Sequence, residues 1–132
     1  MKPQVNPIHP ALIDVLRSQT MLAFAALIGS RAKGTARANS DWDIALQWEP
    51  HLDWFGLLGQ TETLRSQIAL ALNVSPAAVD LIDLRRANLA MRASVAEEGL
   101  PLTGDDGLAW MHFLQRTWRE LEQHYWEQQH AA

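Results

Sequence analysis

The sequence has no cysteine, so it builds no disulfide framework and no thiolate zinc site, a composition that fits a reducing cytoplasm. It also lacks a long hydrophobic run. The longest uncharged apolar stretch, Met21 to Ile28, is far short of the roughly 20 residues that cross a bilayer. Prolines in Met1-Lys2-Pro3-Gln4-Val5-Asn6-Pro7 stand where a signal peptide needs apolar residues, so a soluble cytoplasmic protein is expected. An excess of positive charge is missing too. Eleven lysines and arginines against fifteen aspartates and glutamates leave a formal charge of −4, which argues against direct binding to nucleic-acid backbones. It does not exclude ATP, whose charge is carried by its own metal ions. His9, His51, His112 and His130 have no H-x-x-x-H or H-E-x-x-H partner, and no zinc site is expected. No repeat or linker divides the 132 residues, so a single domain over 1–132 with one modest core is expected.

The segment from Gly29 to Asp43 carries the chemistry. An apolar run ends at the small-residue turn Gly29-Ser30, and two aspartates two residues apart, Asp41 and Asp43, open the next run. Side chains alternate along a strand, so both carboxylates point to one face. Like charges so close repel each other and call for a cation between them. A Gly-Ser turn entering a helix presents backbone N–H groups suited to phosphate. Together they predict a metal–nucleotide site.

Around it the chain alternates helix and strand. Pro10 opens a short helix with Leu12, Val15 and Leu16 on one face, and Leu22–Ile28 reads as a buried strand. A loop with a short helical turn fills 30–40. Trp42, Ile44 and Leu46 alternate with Asp41, Asp43 and Ala45, as in a half-buried strand. Asp53 caps a helix running to about Asn73, and Ser75-Pro76 turns into a third strand, Val79 to Leu84. A helix from about Ala87 stops at Gly99, read as a left-handed cap, before a short edge strand at Leu100 to Leu102. The final helix, about 105–130, bears the stripe Trp110, Leu114, Trp118, Leu121 and Tyr125. The pattern is an α/β sandwich with helices around a small sheet.

Two carboxylates on one strand face, joined by a third from another strand, can hold two divalent ions about 3.5–4 Å apart. Magnesium suits this because it takes hard oxygen ligands and leaves positions for phosphate. Gly29 lets the backbone approach the phosphates, Ser30 offers its hydroxyl, and Arg31, Lys33 and Arg37 are cations close enough to neutralise them. The third carboxylate is Asp80 or Asp83; three residues apart, they face opposite ways, and strand periodicity does not choose.

Gly29-Ser30, ten residues, then Asp41-x-Asp43 resembles the signature of the polymerase-beta-type nucleotidyltransferase superfamily, and the short length resembles its minimal nucleotidyltransferase (MNT) branch. The likeness covers about residues 20–103, including Val79 to Leu84 and the tail Glu98-Gly99-Leu100-Pro101-Leu102. It implies the small mixed β-sheet of that superfamily's palm, flanked by helices and followed by a long C-terminal helix that matches no family pattern. It implies Asp41, Asp43 and Asp80 as metal-binding catalytic carboxylates, Asp80 because the family's third one follows a hydrophobic residue at the start of its strand. Gly29, Ser30, Arg31 and Lys33 become nucleotide-binding, with two Mg²⁺ ions and ATP as substrate. Members of the branch are commonly antitoxins that transfer AMP to a tyrosine of a HEPN toxin, and such a toxin is the implied partner.

Other readings are weaker or compete. Gly29 and Gly34 have phosphate-loop spacing, but Thr35-Ala36 replace the Lys and Ser/Thr that loop needs. Arg119 and His124 form R-x₄-H, like the catalytic pair of HEPN ribonucleases, in a chain whose strands do not suit that all-helical fold. The stripe on the last helix is a core or docking face, with Trp54 and Trp126 as candidate interface anchors. A non-catalytic antitoxin that acts by occlusion, and transfer of a nucleotide to a small molecule, are the alternatives to protein adenylylation.

Overall fold

The computed structural model describes residues 9–131, and the proline-bearing N-terminal segment lies outside them. In chain order the elements are α1 (Pro10–Arg17), β1 (Leu22–Ile28), α2 (Gly29–Lys33), β2 (Trp42–Trp48), α3 (Trp54–Leu72), a 3-10 turn (Pro76–Ala78), β3 (Val79–Asp83), α4 (Leu89–Glu98), β4 (Leu100–Thr103) and α5 (Leu108–His130). Local chemistry sets most boundaries. Pro10 occupies the first turn of α1, where a missing N–H costs nothing. Asp53 accepts the Gly56 N–H at 2.6 Å and starts α3, which ends on Asn73 in the left-handed region. Asn88 accepts the Met91 N–H at 2.9 Å, so α4 begins just after Ala87.

The four strands lie in the order β3-β2-β1-β4, with β1 antiparallel to β2 and β4, and β2 parallel to β3. This is the mixed sheet that the sequence implies. The parallel pair follows from α3, which carries the chain back before β3 begins. One face packs Leu27, Ile44, Leu46 and Trp48 against α1 and α3. Trp48 is fully buried and donates its indole N–H to Thr61 Oγ1 at 3.1 Å. The other face packs Phe24, Ala26 and Ala45 against Val95 of α4 and Phe113 of α5. Phe24, Trp110 and Phe113 meet with centroids 5.1 to 5.5 Å apart and fasten the start of α5 to the sheet.

Two expectations need correcting, and the stripe of α5 divides between its two readings. The strand β2 is more than half-buried, because it is central and covered on both faces; Ala45 is as buried as Ile44. Gly99 is not a left-handed cap: its φ is −66°, and a Cβ there would stand 2.5 Å from the Val95 carbonyl oxygen. A close approach, not handedness, requires glycine. The aromatic stripe of α5 is core only in its first turns. Phe113 and Thr117 are the buried positions, whereas Trp118 and Tyr125 are exposed because α5 runs on past the sheet.

Candidate active site

The site forms where β1 ends and β2 and β3 begin. Strand register sets Ile28 opposite Asp43 and Asp43 opposite Asp80. Asp43 and Asp80 are therefore neighbours on the face that carries α4 and α5. Asp41, two residues before Asp43 and just outside β2, shares that face. Their proximity has an electrostatic consequence. Burial first, then the charges of Asp80 and Asp41, hold the Asp43 carboxyl above the usual aspartate range.

Asp83 sits elsewhere. It pairs with Leu46, faces Leu52, Trp54 and Leu57 on the opposite side of the sheet, and accepts the Arg85 N–H at 3.0 Å. Of the two candidates for third carboxylate, only Asp80 lies beside Asp43.

Gly29 begins α2 with φ +72°. A Cβ at this position would lie 2.5 Å from Asp43 Oδ2, so glycine is what allows the turn to press against the carboxylate. Gly34, also left-handed, ends α2 after one turn, and its N–H returns to the Ser30 carbonyl. Gly29, Lys33, Asp43 and Asp80 line one cleft of about 260 Å³. Lys33 Nζ lies 3.3 Å from Glu98 Oε2 across it.

Arg31 lies outside the cleft lining. Its guanidinium donates to the Ser40 carbonyl at 2.8 and 3.2 Å and to the carbonyls of Arg37 and Ala38 at 3.4 Å. It also covers the Trp42 ring at 4.1 Å. It thus ties α2 to the loop that delivers Asp41 and Asp43. The Arg37 N–H is held by Ser40 Oγ at 2.8 Å, which tightens the same loop.

The remaining wall is α4, through Met91, Ser94 and Glu98. Sequence reasoning does not pick these residues as part of the site. Their spacing of three and four puts them on one helix face, a signal that gains meaning only when α4 is known to face Asp43.

Among the described residues no three Asp, Glu or His side chains are gathered tightly enough to cage a cation. The carboxylates still fit magnesium: they are hard oxygens on one face, the charges of Asp80 and Asp41 add to burial in raising the pKa of Asp43, and Asp43 and Asp80 open toward the cleft. An open side suits an ion that takes its other ligands from phosphate.

A mixed sheet, a glycine turn against a carboxylate, and acidic residues at the start of two adjacent strands define a nucleotidyltransferase-type fold. The polymerase beta nucleotidyltransferase family model matches residues 11–107, and the chain belongs to that family. Among solved structures it is similar to a toxin–antitoxin complex with AMP-PNP, at 29% identity and TM-score 0.68 over 95% of this chain and 94% of that one. It is similar to the MntA–HepT toxin–antitoxin at 28% identity and TM-score 0.60, over 89% of this chain and 87% of that one. A third is the complex of tri-AMPylated Shewanella oneidensis HEPN toxin with its MNT antitoxin, at 27% identity and TM-score 0.61, with the same coverage of 89% and 87%. No curated protein sequence matches the chain.

Proposed function

We propose that this protein is a cytoplasmic antitoxin that transfers AMP from ATP to a tyrosine hydroxyl of a HEPN toxin. The observation that carries this reading is the registered pair Asp43–Asp80, which lines a single cleft with the Gly29 turn. The similarity to toxin–antitoxin complexes, one with AMP-PNP and one with an AMPylated toxin, supports the nucleotide and the partner.

In this mechanism the Gly29 and Ser30 N–H groups and the Ser30 hydroxyl take the triphosphate, and Lys33 leaves Glu98 to neutralise it. Arg31 contributes by holding the loop rather than by meeting phosphate directly. Two magnesium ions held by Asp41, Asp43 and Asp80 would acidify the acceptor hydroxyl and offset the charge of the departing pyrophosphate. The tyrosine oxygen bonds to the α-phosphorus as the bond from that phosphorus to the bridging oxygen breaks. The hydroxyl proton passes to the exposed Asp80 carboxylate. AMP on the toxin adds bulk and negative charge, which repels RNA.

The test is incubation of the folded protein with ATP labelled at the α-phosphate, Mg²⁺ and the protein encoded beside it. Label on that partner is expected, and its absence would overturn the assignment. A second reading, neutralisation by occlusion, draws on the exposed Tyr125 and Trp126 of α5. Asp43→Asn separates the two: loss of protection with retained partner binding supports transfer, and retained protection supports occlusion.

A further inference from the structure

The carboxylate cleft is bounded on one side by α4, and a second, larger space lies across that helix. Between α4 and the last turns of α5 runs a groove of about 560 Å³. Ser94 and Glu98 line both the groove and the cleft, so the two spaces meet over the exposed face of α4. The floor of the groove is small and apolar, with Ala90 and Ala93 on α4 opposite Leu121 and Tyr125 on α5. Its surroundings are acidic. Glu97 and Glu98 stand on the α4 side and His124 lines the α5 side; Glu120 is paired with Arg92 and Arg116, and beyond it α5 adds Glu122 and Glu127 with no lysine or arginine. Among the described residues Glu97 has no cationic partner within ion-pair distance, unlike Glu98, which meets Lys33. The aromatic surface beside it is also uncovered: Tyr125 and Trp126 are 57% and 59% exposed.

We infer that this groove seats a basic segment of the protein that carries the acceptor hydroxyl, a proposal that rests on the reading of the chain as a protein-directed transferase. Continuity with the cleft gives the segment a path from its anchor to the reacting phosphate. Negative charge along that path favours lysine or arginine and turns away a nucleic acid or an acidic peptide. The rigid aromatic surface supplies contact area at little entropic cost, as at protein interfaces generally. The path also sets a spacing. A helix with its side chains is about 10–12 Å across. An extended chain covers that width in about three residues. The anchoring basic residue therefore lies about three or four residues from the acceptor tyrosine.

The experiment measures binding of the partner encoded beside this protein by titration calorimetry, at low and high salt, alongside transfer of labelled AMP. Ala90→Arg fills the groove and adds one positive charge to it at an exposed helix position that tolerates arginine. Glu97→Lys changes the charge alone. Ser66→Arg, exposed on α3 across the sheet, is the control. Both groove variants are expected to weaken partner binding about tenfold or more. ATP affinity and the melting curve should be unchanged, Ser66→Arg should match wild type, and high salt should weaken wild-type binding. Partner binding by Ala90→Arg equal to wild type would overturn the groove assignment, even if AMP transfer is observed. Weakened binding by the groove variants, with no label ever reaching the partner, would support the groove and refute transfer.

Discussion

Gly29 and Asp43 form one structural unit, since the turn can approach the carboxylate only while the turn residue has no side chain. In Gly29→Ala the new methyl would meet Asp43 Oδ2, and the backbone would hold alanine at φ +72°, a conformation costing about 1–2 kcal/mol. A lower melting temperature and a transfer rate reduced about 100-fold are expected, the size of loss that an ångström of misplacement produces. Wild-type activity in the variant would show that the close contact is dispensable. Asp43→Asn acts in the opposite direction on stability. Because the native Asp43 carboxyl titrates above the ordinary value of 3.8, the folded protein holds its proton where the unfolded chain has lost it. Stability contributed by this group therefore falls as pH rises from that value through the raised native one, and stays lower above it. Asparagine removes the charge, so the variant should melt at a higher temperature than the wild type at neutral pH. It should also lose most of that pH dependence while transferring no AMP. Melting curves across pH, with a transfer assay, read both outcomes.

At the scale of elements, the loop before β2 depends on a single arginine. Arg31→Lys keeps the charge but loses the forked donor set and the flat stack on Trp42. If Arg31 positions the carboxylates, the variant lowers kcat about tenfold and leaves the KM for ATP nearly unchanged. A rise in KM with unchanged kcat would instead make it a phosphate ligand. The seam between α4 and α5 offers a second contrast. Arg92 is buried and paired with Glu120, yet among the described residues its Nε and Nη1 have no partner, nor does the buried Thr117 hydroxyl. Arg92→Met removes the stranded donors and should change stability little. Glu120→Ala leaves the guanidinium buried alone and should cost about 1–3 kcal/mol, measurable by urea denaturation. The same elements show what the sequence could and could not reveal. Gly29-Ser30, the Asp41-x-Asp43 spacing and the Asp53 cap were legible because each is local. The neighbourhood of Asp43 and Asp80 was legible only through the family resemblance, since alternation fixes which residues share a face within a strand but never the register between strands. The wall formed by Met91, Ser94 and Glu98 was hidden for a related reason: an amphipathic pattern marks a face without naming what it meets. The stripe of α5 left core and docking face open because helical periodicity continues where the sheet beneath it stops.

For the molecule as a whole, helices pack on both faces of the sheet, and Asp43 and Asp80 emerge into a cleft beside the Gly29 turn. The fold thus holds like charges together in a cleft that remains open to a ligand. Repulsion there is an energy that the empty protein carries and that a cation with a nucleotide can relieve. Magnesium and ATP should therefore stabilise the protein more together than the sum of their separate effects. Each provides what the other needs: the cation offsets the carboxylates, and the triphosphate fills the open side of its coordination. Ligand binding raises stability by RT ln(1 + [L]/Kd), about 2.7 kcal/mol at one hundred times Kd, which is several degrees for a domain of this size. Thermal melts with ATP and Mg²⁺, with ATP and a chelator, and with Mg²⁺ alone measure the coupling directly. In Asp43→Asn the empty protein starts more stable but the coupling should vanish, because the repulsion that the ion relieves is gone along with the ligand that holds it. Equal shifts with and without chelator in the wild type would mean that the carboxylates do not bind the nucleotide through a metal.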